Sequence, residues 1–589
     1  MKETVHSLLR EAVRLHEASD AIVAPGRHSL SYADLGRQLA LDHAFFRQQG
    51  LGPRARIGVA VGAGPEGLVA ILAAAASAAC APLDPDLEVG ALGRLMAAMR
   101  IDGLVVAEGP TSNAAHAARA AGIPLLLLTA SNGEPAGAHA LKGESRRKPV
   151  PAEWPDPDDL SFLWHTSGTT GVPKSVPYEQ WRSCSVARER ISRRRICSTD
   201  RCLIASTTTS AATVRTGLLP NLAAGAAVIR TGDLSADTIL GAIECLGPTY
   251  FMAPPVLHNR LLEILERRCG RLNHRLRMIY SSFAEQSPQV RERLELMLGV
   301  PMIVTYGMTE VGGIAETPQP PETAPAGSVG RPVSEVAIAD DHGTFLPSDQ
   351  EGEVWVRGPE VMAGYESPPE ANRDSFCNGW FRTGDFGHFD DRGFLYLTGR
   401  IKDAINRGGV KVSPSEVEAA LVSHLAVREA AVFARRHPTL GEDVYAAVVF
   451  EERRPVSEAD LRRFVRHQLS AAKVPTRIVA TSALPRNAAG KLQRSELAAF
   501  GEALLKRVWE PAEGPHEEQV AAIFRHVLRL DDIGRNDRFF DRGGDSLRAV
   551  EVLERIREDF GVSVSMDELL ESSSVAGLAR VISQSAKPA

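Results

Sequence analysis

The sequence predicts an α/β fold in a large N-terminal domain, a small α+β domain after it, and a helical bundle at the C-terminus. Over residues 1–400, short apolar strand-like runs alternate with amphipathic helical patterns, which is typical of mixed or parallel sheets with flanking helices. Around Gly399–Lys402 the pattern changes to a smaller unit with a long apolar run, Tyr445–Phe450. After residue 517, apolar residues recur at three- and four-residue spacing.

Several short apolar runs in the large domain have the length and composition of buried strands. They are Ile57–Val61, Leu104–Val106, Leu125–Leu128, Ala227–Ile229 and Met302–Val304. The Ala-rich run from Leu68 to Pro82 is shorter than the roughly 20 residues that cross a bilayer. We therefore predict a buried helix there.

The expected domain boundaries follow from changes in composition. We predict a core at 1–400, a smaller domain at 401–506, a linker with two prolines at 507–516, and a compact helical domain at 517–589. In this last domain, the stripe Leu547, Val550, Leu553, Ile556 and Phe560 predicts one amphipathic helix.

Composition excludes some classes of protein. The 589 residues carry a net charge of -6, which argues against a general nucleic-acid or membrane-surface binder. None of the seven cysteines forms a C-x-x-C pair, so metal-ligand spacing is absent and free thiols are expected. The N-terminus has no apolar signal core. We expect a cytoplasmic protein.

The most informative segment is His165–Ser175, which follows the strand-like Leu160–Trp164. Hydroxyls, glycines and one lysine at the end of a strand make a cradle for anions, because glycine allows backbone N–H groups to approach a phosphate closely. A P-loop would need glycine where Pro173 stands, so that interpretation fails. An ordinary polar surface loop is the alternative.

This segment resembles the phosphate loop of the adenylate-forming superfamily, which includes acyl-CoA synthetases, luciferases and peptide-synthetase adenylation domains. The resemblance covers most of the chain, since further segments are similar to the family's motifs in the same order. These are Leu30–Leu35, Ala81–Pro85, Tyr306–Glu310, Gly327–Pro332, Thr383–Asp385, Gly399–Asp403 and Pro485–Lys491.

The resemblance implies a binding site for ATP and roles for individual residues. The β- and γ-phosphates would be held by Thr166, Ser167, Gly168, Thr169, Thr170, Gly171 and Lys174. In the motif that contains Gly307, Tyr306 would stack near adenine, Thr309 would bind the α-phosphate and Glu310 would hold Mg²⁺. Asp385 would accept the ribose hydroxyls with support from Arg400, and Lys491 would bridge the substrate carboxylate and the α-phosphate. Taken alone, Asp385 is also compatible with a turn and Lys491 with an exposed loop.

The resemblance also implies a mobile small domain. Lys402 stands at the family's hinge position, where one residue must absorb a large backbone rotation. Gly408–Gly409 would line the path of an arriving thiol, and a simple turn before the strand at Val410–Val412 is the alternative.

The segment Phe539–Leu547 resembles the signature of carrier proteins. Ser546 would then carry 4′-phosphopantetheine, added by a phosphopantetheinyl transferase, at the start of a helix whose positive end favours the phosphate. A plain capped helix is the alternative.

The substrate is expected to be a small carboxylic acid without a free α-amino group. Amino-acid-activating relatives place an Asp where Ala211 stands, and a buried ammonium without a partner costs several kcal/mol. The expected pocket residues are Ala211, Ala212, Arg215, Ser281, Ser282 and Phe283. Arg215 either pairs with a second anionic group or points to solvent.

We therefore expect an ATP- and Mg²⁺-dependent acid–thiol ligase that loads its own carrier for nonribosomal-peptide or polyketide (antibiotic) biosynthesis. The acyl group would pass in trans to a downstream condensation or acyltransferase enzyme, without nucleic acid or membrane as partner. The alternatives are an acyl-CoA ligase with a fused carrier, a non-catalytic carrier scaffold, and an amino-acid-activating enzyme with an atypical pocket.

Overall fold

The fold was analysed in a computed structural model of the chain. It describes residues 2–107, 112–130, 133–143, 147–166, 174–268, 270, 272–282, 286–451, 456–486, 492–505, 509–542, 544 and 546–585, with the backbone only at 495, 546, 547 and 571. The chain forms two compact units. The first comprises Met1–Thr383 and Gly387–Leu397, and the second comprises Gly384–Phe386 and Thr398–Ala589.

Helices and strands alternate up to residue 400. The helices are α1 Val5–His16, α2 Tyr32–Gln48, α3 Pro65–Ser77, α4 Val89–Met99, α5 Asn113–Ala120, α6 Gln180–Arg194, α7 Leu219–Ala223, α8 Ala236–Leu246, α9 Pro255–Arg267, α10 Pro288–Leu298 and α11 Asn372–Ser375, with a π-helix at Thr213–Leu218 and a 3₁₀ turn at Pro369–Ala371. The strands are β1 Asp20–Val23, β2 Leu30–Ser31, β3 Arg56–Ala60, β4 Ala79–Pro82, β5 Gly103–Ala107, β6 Leu125–Thr129, β7 Ala140–Lys142, β8 Leu160–Thr166, β9 Lys174–Glu179, β10 Arg201–Ile204, β11 Ala227–Ile229, β12 Tyr250–Ala253, β13 Met278–Ser281, β14 Met302–Met308, β15 Gly312–Glu316, β16 Arg331–Pro332, β17 Glu335–Ala339, β18 Gly352–Arg357, β19 Phe376–Cys377, β20 Trp380–Phe389 and β21 Leu395–Arg400.

Further strands and helices follow residue 400. The strands are β22 Ile405–Arg407, β23 Val410–Val412, β24 Val427–His437, β25 Gly441–Phe450 and β26 Arg477–Ala480. The helices are α12 Pro414–Val422, α13 Glu458–Arg466, α14 Arg494–Leu504, α15 Gly514–Leu528, α16 Ser546–Phe560, α17 Met566–Glu571 and α18 Val575–Ser585, with 3₁₀ turns at Ile401–Asp403 and Ala471–Lys473.

The α/β prediction is confirmed. In the described residues, a nine-stranded sheet runs in the order β16-β15-β14-β13-β12-β10-β11-β1-β2, and a seven-stranded sheet runs β7-β6-β5-β3-β4-β8-β9. Strands β10, β12, β13 and β14 are parallel, so their carboxyl ends meet at one edge of the nine-stranded sheet. In open α/β sheets this edge is where ligands bind.

The run Leu68–Pro82 is not one helix as predicted. Helix α3 ends at Ser77, and Ala79–Pro82 forms a strand whose Cys80 pairs with Ile57 of β3. Every position of this run is buried, so its apolar pattern has no period that marks where the helix stops. Pairing with the neighbouring strand decides the conformation instead.

In the second unit, the small domain is a five-stranded sheet in the order β23-β22-β25-β24, with β26 beside β25. Gly408 and Gly409 form the tight turn between β22 and β23, with φ of +59° and +91°. Two consecutive residues with positive φ are the signature of a type I′ hairpin turn, which favours glycine. The backbone of this glycine pair is therefore that of a simple turn, the alternative given above.

The C-terminal part of the second unit is helical, as predicted, with α15 to α18 around one apolar core. The stripe predicted for α16 is partly wrong. The helix buries Ala549, Val552 and Ile556, whereas Val550 is 46% exposed. Within the described residues, no helix is both long and apolar enough to cross a bilayer.

Candidate active site

Residues Tyr306–Glu310 lie where β14 turns into β15, at the carboxyl edge of the nine-stranded sheet. Glycine is required at position 307, because a Cβ atom there would lie 2.0 Å from the backbone oxygen of Gly312. Tyr306 and Thr309 are half-buried, and Glu310 is only 6% exposed. The turn thus holds the Glu310 carboxylate largely shielded from water.

The expected phosphate loop joins two paired strands. Thr166 is the last residue of β8 and Lys174 the first of β9, and the two are partners in the antiparallel register. The predicted phosphate-binding residues between them lie outside the described residues: Ser167, Gly168, Thr169, Thr170 and Gly171. The ends of the loop are therefore held together by the sheet.

A tyrosine that the sequence did not reveal connects Lys174 to Glu310. The hydroxyl of Tyr365 donates a hydrogen bond to Oε1 of Glu310 at 2.8 Å. The ammonium of Lys174 lies 4.2 Å from the centre of the same ring, within the range of a cation–π interaction. Burial, and then the neighbouring Glu310 carboxylate, raise the pKa of Tyr365, which keeps its hydroxyl protonated as a donor.

Strand β9 brings Tyr365 to this position. The amide of Ser175 donates to the carbonyl oxygen of Ser367 at 2.7 Å, and the amide of Glu366 donates to that of Ser175 at 3.1 Å. These two bonds fix the segment that carries Tyr365 beside Lys174. We call Lys174, Tyr365 and Glu310 the phosphate-side cluster.

Arg215 is buried beneath the Tyr306–Glu310 turn, so the expectation that it points to solvent is wrong. The side chain is 2% exposed and lies 4.0 Å from the centre of the Tyr178 ring. It belongs to the π-helix, a form often found at functional sites. Its Nη2 donates to the carbonyl oxygen of Thr309 at 3.0 Å, but Nε and Nη1 have no hydrogen-bond partner in the described residues.

Further buried side chains support the turn. The hydroxyl of Tyr178 lies within hydrogen-bonding distance of the carbonyl oxygens of Glu310, at 3.0 Å, and Glu360, at 2.7 Å. Arg190 forms an ion pair with Glu360 at 3.2 Å. Burial raises the pKa of Glu360, and Arg190 opposes this effect. These contacts hold the backbone of Glu310 and that of Glu360 together.

Other residues predicted to line the pocket lie near the same edge of the sheet. Ala211 is buried and Ala212 half-buried, directly before the π-helix. Ser281 ends β13, and its hydroxyl donates to Gln286 Oε1 at 3.0 Å. Ser282 is buried with no hydrogen-bond partner for its hydroxyl among the described residues. Phe283 lies outside the described residues.

Asp385 and Arg400 meet within the second unit. Nε of Arg400 donates to Oδ1 of Asp385 at 3.0 Å, and the Asp385 side chain is 9% exposed while that of Arg400 is 57% exposed. The two residues assigned to the ribose are therefore in direct contact, and their role toward the ribose stays a prediction. Lys402 lies in the 3₁₀ turn that follows and is exposed.

Two further predicted site residues are Lys491 and Ser546. Lys491 lies outside the described residues, and Ser546 is described by its backbone only, as the first residue of α16. For Mg²⁺, the donor set fits: Tyr365 occupies Oε1 of Glu310, and no hydrogen bond from a described residue reaches Oε2. One carboxylate oxygen together with nucleotide phosphates is a common Mg²⁺ environment.

Sequence comparison decides the family. The profile of the AMP-binding enzyme family matches residues 9–366, which is more than half of the 589 residues. The chain belongs to this family. The profile of the AMP-binding enzyme C-terminal domain matches residues 416–491, and that of the phosphopantetheine attachment site matches 518–582. This AMP-binding enzyme thus combines an adenylating domain with a carrier domain.

Its curated relatives include ligases. An oxalate–CoA ligase of Arabidopsis thaliana is 38% identical over 343 residues, which are 57% of this chain and 67% of the relative. A 2-succinylbenzoate–CoA ligase of Bacillus licheniformis is 34% identical over 345 residues, 58% of this chain and 70% of the relative. The AMP-binding enzyme is therefore a carboxylate-adenylating ligase that uses ATP.

Solved structures agree on the fold. ATP-bound MatB from Rhodopseudomonas palustris matches with a TM-score of 0.75 at 24% identity, over 86% of this chain and 100% of that one. At this identity the likeness concerns the fold alone.

Proposed function

We propose that this AMP-binding enzyme activates a small carboxylic acid as its acyl-adenylate and then loads the acyl group onto a phosphopantetheine arm on its own Ser546. The observation that carries the proposal is the presence of an adenylating domain and a phosphopantetheine attachment domain in one chain. Tethering the thiol to the same chain raises its effective concentration at the site.

In the first step, a carboxylate oxygen of the acid attacks the α-phosphorus of ATP, and pyrophosphate leaves. Thr166, Lys174 and the loop between them bind the β- and γ-phosphates, and Thr309 binds the α-phosphate. Asp385 orients the ribose with Arg400, and Lys491 neutralises charge that develops on the α-phosphate. Mg²⁺ bound at Glu310 would supply further neutralisation of the triphosphate charge.

In the second step, the acyl group passes from the adenylate to the thiol of the arm on Ser546, and AMP is released. Backbone rotation at Lys402 exchanges the two conformations of the small domain. The hairpin turn at Gly408–Gly409 then lines the path of the thiol, because glycine leaves room for a narrow ligand.

The substrate class is a small acid without an α-amino group and with a second anionic group. Ala211 offers no carboxylate to pair with an ammonium. Among the described residues, the buried guanidinium donors without a hydrogen-bond partner include Nε and Nη1 of Arg215 and Nη2 of Arg230, which is 0% exposed. Burial lowers the pKa of Arg230 to about 10, as expected for a cation without a carboxylate beside it.

Burial is the only cause of the lowered pKa of Arg230, whereas Arg215 already interacts with the Glu360 carboxylate. A buried cation without a counter-charge costs several kcal/mol, and an anionic substrate group beside Arg230 would offset that cost. The names of the relatives fit this argument, since oxalate and 2-succinylbenzoate each carry two carboxylates. A dicarboxylic acid would present one carboxylate to ATP and the other to a buried guanidinium.

The acyl group is then destined for a natural-product pathway, through an enzyme that acts in trans. Two other functions make different predictions. An acyl-CoA ligase with a fused carrier, favoured by the names of the relatives, would form its thioester on free CoA as fast as on Ser546. A scaffold without activity would release no pyrophosphate with any acid. Such a scaffold would have no evident need for the phosphate-side cluster.

Substrate-dependent exchange of pyrophosphate with ATP tests the first step. We expect exchange with short dicarboxylic acids to exceed exchange with monocarboxylic acids of the same chain length, and amino acids to be poor. Strongest exchange with an α-amino acid would contradict the substrate class. No exchange with any acid would contradict the catalytic function itself.

A further inference from the structure

Within the second unit, the loop that precedes Ser546 lies against the sheet of the small domain. The carboxylate of Asp541 forms an ion pair with Arg477 of β26 and accepts a hydrogen bond from the hydroxyl of Tyr445 of β25 at 3.0 Å. Asp541 and Arg477 are well shielded, with side chains 16% and 20% exposed. Asp541 stands five residues before Ser546, so this contact holds the attachment loop itself.

Two more pairs of opposite charge join the same two surfaces. Arg538 of the carrier pairs with Glu458 at the start of α13. Asp567 of α17 pairs with Arg466 at the end of α13, at 2.6 Å. The small domain thus presents a positive, a negative and a positive side chain, Arg477, Glu458 and Arg466. The carrier presents a side chain of opposite charge to each of them. Such matching sets the orientation in which two surfaces meet.

Hydrogen bonds to backbone carbonyl groups of the carrier complete the contact. Nη1 of Arg462 donates to the carbonyl oxygen of Leu570 at 2.8 Å. Nε2 of His437 lies 3.2 Å from the carbonyl oxygen of Gly544, and Gly544 is buried two residues before Ser546. The small domain thereby contacts one backbone carbonyl next to the attachment site and another in α17.

We propose that this face of the small domain, formed by Tyr445, Glu458, Arg462, Arg466 and Arg477, is a docking surface for the chain's own carrier, and that docking and modification of Ser546 exclude each other. The proposal rests on the carrier role of Ser546. The docked surface contains the loop residues Arg538, Asp541 and Gly544 directly before Ser546, and a transferase must approach this same loop. Only the undocked fraction of molecules is then available for modification.

The test uses the full-length chain in its unmodified form. Arg477→Gln removes the central charge from the small domain and leaves the carrier unchanged. Modification by a phosphopantetheinyl transferase, which forms the phosphodiester on Ser546 and releases 3′,5′-ADP from CoA, is followed by intact mass at limiting transferase. We expect the variant to be modified about tenfold faster, the change that a shift of about 1.4 kcal/mol in docking would produce.

Lys473→Gln is the matched control. It removes an ion pair with Glu416 that lies wholly within the small domain, at 2.7 Å, and should leave the modification rate unchanged. Arg466→Glu is a second undocking variant at an exposed position, in case Arg477→Gln does not fold. In the double variant Arg466→Glu with Asp567→Arg, the restored pair should return the rate toward that of the native chain.

Hydrogen–deuterium exchange measures docking in the chain whose Ser546 is unmodified. Amides of residues 538–542 should exchange faster in Arg477→Gln than in the native chain and in Lys473→Gln. Unchanged exchange together with unchanged modification would overturn the docking proposal. If exchange changes as expected but Ser546 is modified in no variant, the docking surface stands while the proposed carrier function fails, so the two failures are distinguishable.

Discussion

Replacing Tyr365 by Phe removes the hydroxyl that donates to Glu310 and keeps the ring beneath Lys174. A hydrogen bond to a charged group is worth about 1.5–3 kcal/mol, and Glu310 is too buried for water to replace the donor fully. If Glu310 acts in binding MgATP, the variant should raise KM for MgATP by about 10- to 150-fold. The KM for the acid should change little, because the cluster lies on the phosphate side.

Two comparisons make this test specific. Tyr365→Leu also removes the cation–π contact with Lys174 and should lose about 0.5–2 kcal/mol more. Tyr396→Phe removes a hydroxyl that likewise neighbours a carboxylate, Asp390, away from the cluster, and should behave as the native enzyme. Steady-state pyrophosphate exchange gives both KM values, and calorimetric binding of MgATP gives a readout without turnover. An unchanged affinity for MgATP in Tyr365→Phe would refute the reasoning.

Other predictions concern the remaining charged groups. Lys491→Ala should lower the rate of pyrophosphate exchange by about 100- to 1,000-fold, the cost of losing one charge-stabilising group, and near-native exchange would remove Lys491 from the first step. Arg215→Met should lower kcat/KM for a dicarboxylic acid by about 10- to 150-fold more than for a monocarboxylic acid of equal length. Equal losses for the two acids would assign Arg215 only to holding the carbonyl oxygen of Thr309.

The alternation of strands and helices was enough to predict the α/β fold, and the resemblance to family motifs singled out Tyr306–Glu310. The motif follows a buried apolar run, and its glycine fits only where two backbones approach closely. Alternation of strands and helices is a local signal, so it could be read from the sequence. The break at Ser77 could not, because the surrounding residues are apolar on every side.

Tyr365 could not be predicted because its role depends on distant residues. It is 55 residues from Glu310 in the chain and meets it only through pairing of the following residues with β9. Arg215 illustrates the reverse problem. The sequence pointed to Arg215 as a candidate pocket residue. The burial and orientation of its side chain depend on the π-helix and the Tyr178 ring, and no local sequence pattern predicts either of these.

The packing of α16 and the docking contacts are also tertiary in origin. Helical periodicity placed Val550 in the apolar stripe, yet the bundle buries Ala549 and Val552 instead. The pairing of Asp541 with Arg477 joins residues 64 positions apart, and charges of this kind resemble ordinary surface charges in the sequence.

The most direct test of the central claim is the intact mass of the phosphopantetheinylated chain after incubation with ATP, Mg²⁺ and a dicarboxylic acid, without free CoA. The proposal predicts a mass increase equal to one acyl group, released by mild thiol treatment, and none in Ser546→Ala, which should still exchange pyrophosphate. Formation of AMP without any adduct, or an adduct that persists in Ser546→Ala, would contradict it.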